Sequence, residues 1–209
     1  MTNQGIIEDP PFVHPTAIVE DGAKLDAAVK VWHFCHVRKG AHLKPGVSIA
    51  RDVYVDVDTT IGENTRIQNG VSIYKGVSIA DWCFVGPHVI FTNDQRPRAG
   101  NRNWEITPTI LDTGASLGAG AIVRCGVTIG MFAMAGAGAV ITKSIEEFTL
   151  VTGFPAKPIS KICACGQSML DLSTGPESYL QPCCSQNLDP RLLRIAQIRL
   201  RELQNRAEE

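Results

Sequence analysis

Every sixth residue from Val13 is apolar: Val13, Val19, Leu25, Val31, Val37, Leu43, Ile49, Val55, Ile61, Ile67, Ile73, Ile79, Val85 and Phe91. The register then breaks and resumes at Leu111, Leu117, Val123, Ile129, Ala135 and Ile141. Phe91 and Leu111 are three sixes plus two residues apart, so an inserted loop is predicted over residues 92–110. Two residues before each apolar position stands a small or β-branched one, as at Ala41, Val47, Val53, Thr59, Thr65, Val71, Val77, Cys83 and Val89. Alternate residues of a strand share a face, so both positions point inward. Three residues after the apolar position come residues suited to positive φ or a tight turn, among them Gly40, Gly46, Asp52, Asp58, Asn64, Gly70, Gly76, Gly114, Gly120, Gly126 and Gly138.

A short strand and a corner every six residues, three to a coil, predict an all-β parallel solenoid whose coils hydrogen-bond to one another. An amphipathic helix needs period 3.6, and a hairpin sandwich does not hold a register of six over this length. The repeat body is expected over residues 12–158, with a separate tail over 159–209.

Composition narrows the function. Twenty basic side chains face 21 acidic ones, so no polybasic surface is expected for nucleic acid or an anionic membrane. Met1 to Pro11 hold no positive segment followed by an apolar run, and no stretch reaches about 18 consecutive apolar residues; a cytoplasmic protein is expected. Of the seven cysteines, Cys35, Cys83 and Cys125 fall singly within the repeat and are read as buried thiols rather than a disulfide framework.

The hexad pattern resembles the hexapeptide-repeat acyltransferases, which implies a left-handed parallel β-helix and a homotrimer with active sites between subunits. More specific motifs are Phe91-Thr92-Asn93-Asp94 followed by Pro97-Arg98, Val31-Trp32-His33-Phe34-Cys35-His36-Val37, and Ile67-Gln68-Asn69-Gly70-Val71-Ser72-Ile73-Tyr74. They resemble the sub-group that acetylates the amine of nucleotide-linked amino sugars, especially at the 3-amino position. Its substrates include UDP-2-acetamido-3-amino-2,3-dideoxy-glucuronate and dTDP-3-amino-3,6-dideoxyhexoses, used for O-antigen and other surface polysaccharides. The resemblance makes acetyl-CoA the cosubstrate, implies no metal, and places Asn93 at the reacting centre. A sugar amine needs no strong base near neutral pH, because a useful fraction is already deprotonated and the departing thiolate can take the last proton.

A solenoid interior is filled with side chains, so chemistry must sit on an outer face, where the insertion is the natural wall. Residues 18 apart stack one strand spacing apart, which puts Asn93 above Lys75 and Thr92 above Tyr74. Lys75, Tyr74, Gln68, Asn69, Arg98 and Asp94 are therefore candidates for sugar-nucleotide binding, with His33 supplied by a neighbouring subunit. Cations suit the pyrophosphate, and aromatic or amide groups suit the base. By resemblance, acetyl-CoA runs along the late coils past Ala119, Gly136, Ala137, Lys143 and Lys157, the last within Gly153-Phe154-Pro155-Ala156-Lys157-Pro158, which is similar to the family's exit from the helix.

His88 is the competing candidate, as a base for O-acetylation of a hydroxyl; a 4-amino sugar is the other alternative substrate. A hexapeptide carbonic anhydrase needs zinc-ligand histidines, and His14, His33, His36, His42 and His88 do not offer that set. A solenoid that only binds a partner would leave the loop motif unexplained. In the tail, Cys163, Cys165, Cys183 and Cys184 invite a zinc reading, but adjacent Cys183 and Cys184 fit one tetrahedral ion poorly. Asp189-Pro190 reads as an N-cap and first helical residue, opening a helix whose Leu192, Ile195, Ile198 and Leu203 turn toward the β-helix or a neighbouring subunit.

Overall fold

The computed structural model describes residues 9–167 and 187–207. Short strands wind into about eight coils with three parallel faces. The first face comprises Phe12–Val13, Lys30–Val31, Ser48–Ile49, Arg66–Ile67, Phe84–Val85, Ser116–Leu117, Met134–Ala135 and Thr149–Gly153. The second holds Ile18–Val19, His36–Val37, Tyr54–Val55, Ser72–Ile73, Ile90–Phe91, Ile122–Val123 and Val140–Ile141. The third holds Lys24–Leu25, His42–Leu43, Thr60–Ile61, Val77–Ile79, Thr109–Leu111 and Thr128–Ile129. All of these pair in parallel, as the six-residue period requires.

The inward positions form one continuous core from Val29 to Val151. The first coil is the exception: Val13 is 38% exposed, because no described coil lies beneath it. Inward Thr65 is satisfied locally, donating to the Ala80 carbonyl at 2.9 Å and accepting from the Cys83 N–H at 3.1 Å. Cys35, Cys83 and Cys125 are buried free thiols, as expected.

The corners adopt positive φ where the sequence suggested it, including Asp52, Asp58 and Asn64. Bulky residues occupy the same conformation at Phe34, Trp82, His88, Phe132 and Phe148. Such backbone is disfavoured for large side chains and persists only where surroundings fix it. At the corner between the third and first faces the reason is visible. Phe132 and Phe148 stack with centroids 5.1 Å apart, and the helix α1 (Pro190–Ala207) packs on them through Ala196, Leu200, Leu192, Ile195 and Leu203.

Asp189 caps α1, its Oδ1 accepting the Arg191 N–H at 2.8 Å. Arg199 grips Glu147 with Nε donating to Oε2 at 2.7 Å and Nη2 donating to Oε1 at 2.5 Å, and the Arg191 guanidinium lies 5.0 Å over the Trp82 ring. The helix therefore docks on its own solenoid. Ile198, expected to face inward, is 50% exposed: six residues beyond Leu192, it leaves the stripe that Ala196 and Leu200 complete.

The solenoid closes with a hairpin. Thr149–Gly153 pairs with Ala156–Lys161 antiparallel across a cis Phe154–Pro155 bond, which carries the chain past Pro158. Among the described residues no helix is long and apolar enough to cross a membrane. Cys183 and Cys184 lie outside the described residues.

Candidate functional site

The side chains singled out from the sequence divide between two corners flanking the second face. One edge, between the first and second faces, carries His33, Asn69, Ala119 and Ala137, with Arg51 in the coil between the first two and Pro87 in the coil between Asn69 and Ala119. Its rungs are backbone bonds: Asp52 N–H to His33 O at 3.0 Å, His88 N–H to Asn69 O at 2.9 Å, and Gly138 N–H to Ala119 O at 2.8 Å. The other edge, between the second and third faces, carries Tyr74, Lys75, Asn93, Asp94, Arg98 and, higher up, Lys143. Asn69 and Lys75 flank the Ser72–Ile73 strand at its two ends, so the second face lies between the two sets.

At the second edge, Asn93 is the neck of the insertion. Its backbone carbonyl accepts the Thr107 N–H at 3.1 Å, where the loop returns, and its side-chain Nδ2 donates to the Lys75 carbonyl at 3.4 Å. Ile106 sits on Gly76, whose φ of 95° and lack of a Cβ both allow this closure. Beyond the neck, Asp94 Oδ1 accepts the Arg96 N–H at 2.7 Å. Arg98 donates to the neighbouring Pro97 carbonyl at 3.2 Å and is exposed. The loop encloses a small polar recess of about 250 Å³ between Asp94, Arg96, Asn101 and Glu105.

Beneath Asn93 runs a network that the sequence reading missed. Asp56 Oδ2 accepts the Lys75 N–H at 3.1 Å, and Asp56 Oδ1 accepts the Tyr54 hydroxyl at 3.0 Å. Arg38 Nη1 donates to Tyr54 Oη at 2.9 Å, while Glu20 binds Arg38, the His36 ring and the Lys39 N–H. Tyr74 leans on Tyr54 with centroids 6.1 Å apart. Burial alone would raise the Asp56 pKa, but the Lys75 and Val57 N–H groups, the Tyr54 hydroxyl and Arg38 hold it below the usual carboxylate range. The Lys39 N–H, with His36 and Arg38, likewise holds Glu20 low against its desolvation. Glu20, Arg38 and Asp56 are spaced by 18, so reading outward positions at that interval would have found them.

Lys75 Nζ is engaged by Asp58 at 2.7 Å, which raises its pKa. His88 is exposed, its ring lies over Gly70, and no carboxylate orients it among the described residues. His33 stacks on His14 with centroids 3.5 Å apart.

Of the residues assigned to acetyl-CoA, Ala119 and Ala137 are exposed and sit beside Gly120 and Gly138, where added side chains would meet open space. That strip leaves backbone accessible to an extended ligand. Gly136 has a packing reason of its own, since a Cβ there would press on Thr152 Cγ2 at 2.6 Å. Lys143 borders a pocket of about 220 Å³ with Ala156 and Pro158, and Lys157 is exposed on the hairpin.

Residues 58–93 match the family described as bacterial transferase hexapeptide (six repeats). Over 57 residues, 27% of this chain and 30% of the relative, the sequence is 42% identical to dTDP-3-amino-3,6-dideoxy-alpha-D-galactopyranose 3-N-acetyltransferase of Aneurinibacillus thermoaerophilus. Over 82 residues, 37% of this chain and 40% of the relative, it is 43% identical to a candidate acetyltransferase of Schizosaccharomyces pombe. The matches thus span less than half the length of these curated relatives. A hexapeptide transferase family protein from Anaplasma phagocytophilum superposes with a TM-score of 0.51 at 20% identity, covering 73% of this chain and 79% of that one, and shares the fold. The chain carries the bacterial transferase hexapeptide repeat on a parallel β-solenoid and resembles the hexapeptide-repeat acyltransferases.

Proposed function

We propose that the protein is an acetyl-CoA-dependent N-acetyltransferase acting on the 3-amino group of a UDP- or dTDP-linked amino sugar, in cytoplasmic synthesis of O-antigen or another surface polysaccharide. Residues 12–158 form the catalytic unit. The observation that carries this reading is the double tether of Asn93. With Nδ2 donating to Lys75 O, Oδ1 is the atom of the amide left to accept a hydrogen bond. The similarity to a 3-amino-sugar N-acetyltransferase over part of the chain supports the same class.

Asn93 Oδ1 accepts one N–H of the neutral sugar amine and aims its lone pair at the thioester carbonyl. The N–C bond forms, the C–S bond breaks, and the amine proton passes to the departing thiolate. Orientation supplies the rate, so no side-chain base is required. The Ala119 and Ala137 strip receives the pantetheine. Because the two functional edges lie apart in one chain, we place each active site between the Asn93 edge of one subunit and the His33–Ala137 edge of its neighbour in a homotrimer.

Incubation with acetyl-CoA and a panel of UDP- and dTDP-linked amino sugars, with thiol release followed, tests the reaction. Release with amine acceptors is expected; release only with hydroxyl acceptors would overturn the assignment. Sedimentation of the full chain tests the trimer.

A further inference from the structure

The first face carries an outward ladder that the reaction described above does not use. In register, Phe12 pairs with Lys30, Lys30 with Ser48, Ser48 with Arg66 and Arg66 with Phe84. Each precedes an inward residue of its strand, so all five side chains leave the same surface. Lys30 and Arg66 thus bracket the small Ser48 across two strand spacings, about 10 Å. With Trp32 and Gln68 they line a groove of about 690 Å³.

Neither cation has an ion-pair partner among the described residues, whereas Lys24, Arg38, Lys44, Arg51 and Lys75 each do. Among the described residues one carboxylate, Asp9, lines the groove beside the two cations. At its side Trp32 is 39% exposed, braced by Phe12 at 5.3 Å and by the nearly parallel ring of His33 at 6.3 Å. The indole is held in place with its surface available.

Two cations without counter-charges among the described residues, a hydroxyl between them and a braced indole alongside match the recognition chemistry of a nucleoside diphosphate. Guanidinium and ammonium groups take phosphate oxygens, and an aromatic face stacks on a base. We infer that this groove binds the nucleoside diphosphate of the sugar substrate, with Lys30 and Arg66 meeting the phosphates over Ser48 and Trp32 stacking on the base. The inference rests on the nucleotide-sugar reading and sharpens it. It moves the diphosphate away from Lys75, whose charge Asp58 already neutralises, and keeps Gln68 as a shared contact. The groove adjoins the edge that bears His33 and Asn69, the side of the proposed composite site opposite Asn93.

Acetyl-CoA also contains a nucleoside diphosphate, so the test separates the two sources. The protein, without acceptor sugar, is titrated calorimetrically with UDP, dTDP and CoA, and indole fluorescence is followed in parallel. UDP or dTDP is expected to bind the wild type and to lose tenfold or more in affinity in the Lys30→Gln/Arg66→Gln double variant. Trp32→Phe should remove most of the fluorescence change, and affinity for CoA should stay as in the wild type, which also reports an intact fold. Equal UDP and dTDP affinity in wild type and double variant overturns the groove while leaving the acetylation reading in place. Loss of CoA binding alone in the double variant assigns the groove to the coenzyme and overturns the inference. A wild type that acetylates amines yet binds neither UDP nor dTDP removes the nucleotide-sugar reading itself.

Discussion

Asn93 and Lys75 stand 18 residues apart in the chain and one coil apart in space, joined by the Asn93 amide donating to the Lys75 carbonyl at 3.4 Å. Because Asp56 holds the Lys75 N–H from below, the orientation of Asn93 depends on a carboxylate two coils down. Asn93→Ala is expected to lower kcat about 100-fold with little change in fold, the range over which a positioned polar group acts. Asp56→Ala is expected to lower kcat about tenfold with KM nearly unchanged, and Asp56→Asn, which keeps an acceptor oxygen, to recover most of it. A KM effect without a kcat effect in Asp56→Ala would sink the positioning role.

His88 lies on the other edge, and no carboxylate among the described residues orients it. His88→Ala should therefore retain N-acetylation within about threefold, well short of the 100-fold or more that a general base contributes. A loss of several orders of magnitude in steady-state turnover would restore the histidine as base and contradict the amine mechanism.

The depressed pKa values of Glu20 and Asp56 give a sign to the acid stability of the lower coils. Unfolded carboxylates titrate near about 4. Both groups favour the folded state fully above that pH, and their contribution disappears as pH falls through their lower folded values. Thermal melts between pH 5 and pH 2 should show a steep loss of Tm, and Asp56→Asn should flatten it. Parallel pH profiles for wild type and variant would refute the linkage.

The contact between α1 and the corner aromatics is expected to hold the tail. Phe132→Ala should cost about 3 kcal/mol in chemical denaturation, as a large buried ring does on truncation. Arg199→Ala, which breaks a bidentate pair with Glu147, should cost about 1–2 kcal/mol. Hydrogen exchange confined to α1 in Arg199→Ala would separate helix undocking from loss of the solenoid.

Burial pushes the Cys83 thiol up to about 12 and raises that of Cys35. At pH 8 neither should react with a soluble disulfide reagent in the native protein, and both should react once it is denatured. Fast native labelling of Cys83, read by peptide mass, would contradict the buried placement.

The hexads made the coils legible because a strand and a corner every six residues have a direct geometric meaning, and positions such as Asp52, Asp58 and Asn64 announced their positive φ by residue type. Ile198 was misplaced because the helix stripe runs through Ala196, too small to register as apolar anchorage. The Glu20–Arg38–Asp56 network and the Lys30–Ser48–Arg66 ladder were hidden for a different reason: their members are ordinary surface residues along the chain and become neighbours only at intervals of 18. Across the insertion that interval widens, so that Phe84 meets Ser116 and Ile90 meets Ile122, and above it 18 returns with Ser116 on Met134. Asn93 was singled out through the resemblance of its Phe91-Thr92-Asn93-Asp94 motif, but its double tether became visible only with the loop closed.

The antiparallel strand Ala156–Lys161 lies at the outer end of the first sheet. A parallel coil leaves a row of open donors and acceptors that could recruit another chain. Here the last row runs in the opposite direction and includes Pro158, which has no N–H to offer, between Lys157 and Lys161, whose like charges repel a copy of themselves. The hairpin is thus a stopper. On that sheet it ends the parallel stacking, so that the chain's own final strand occupies the edge a further coil would otherwise take.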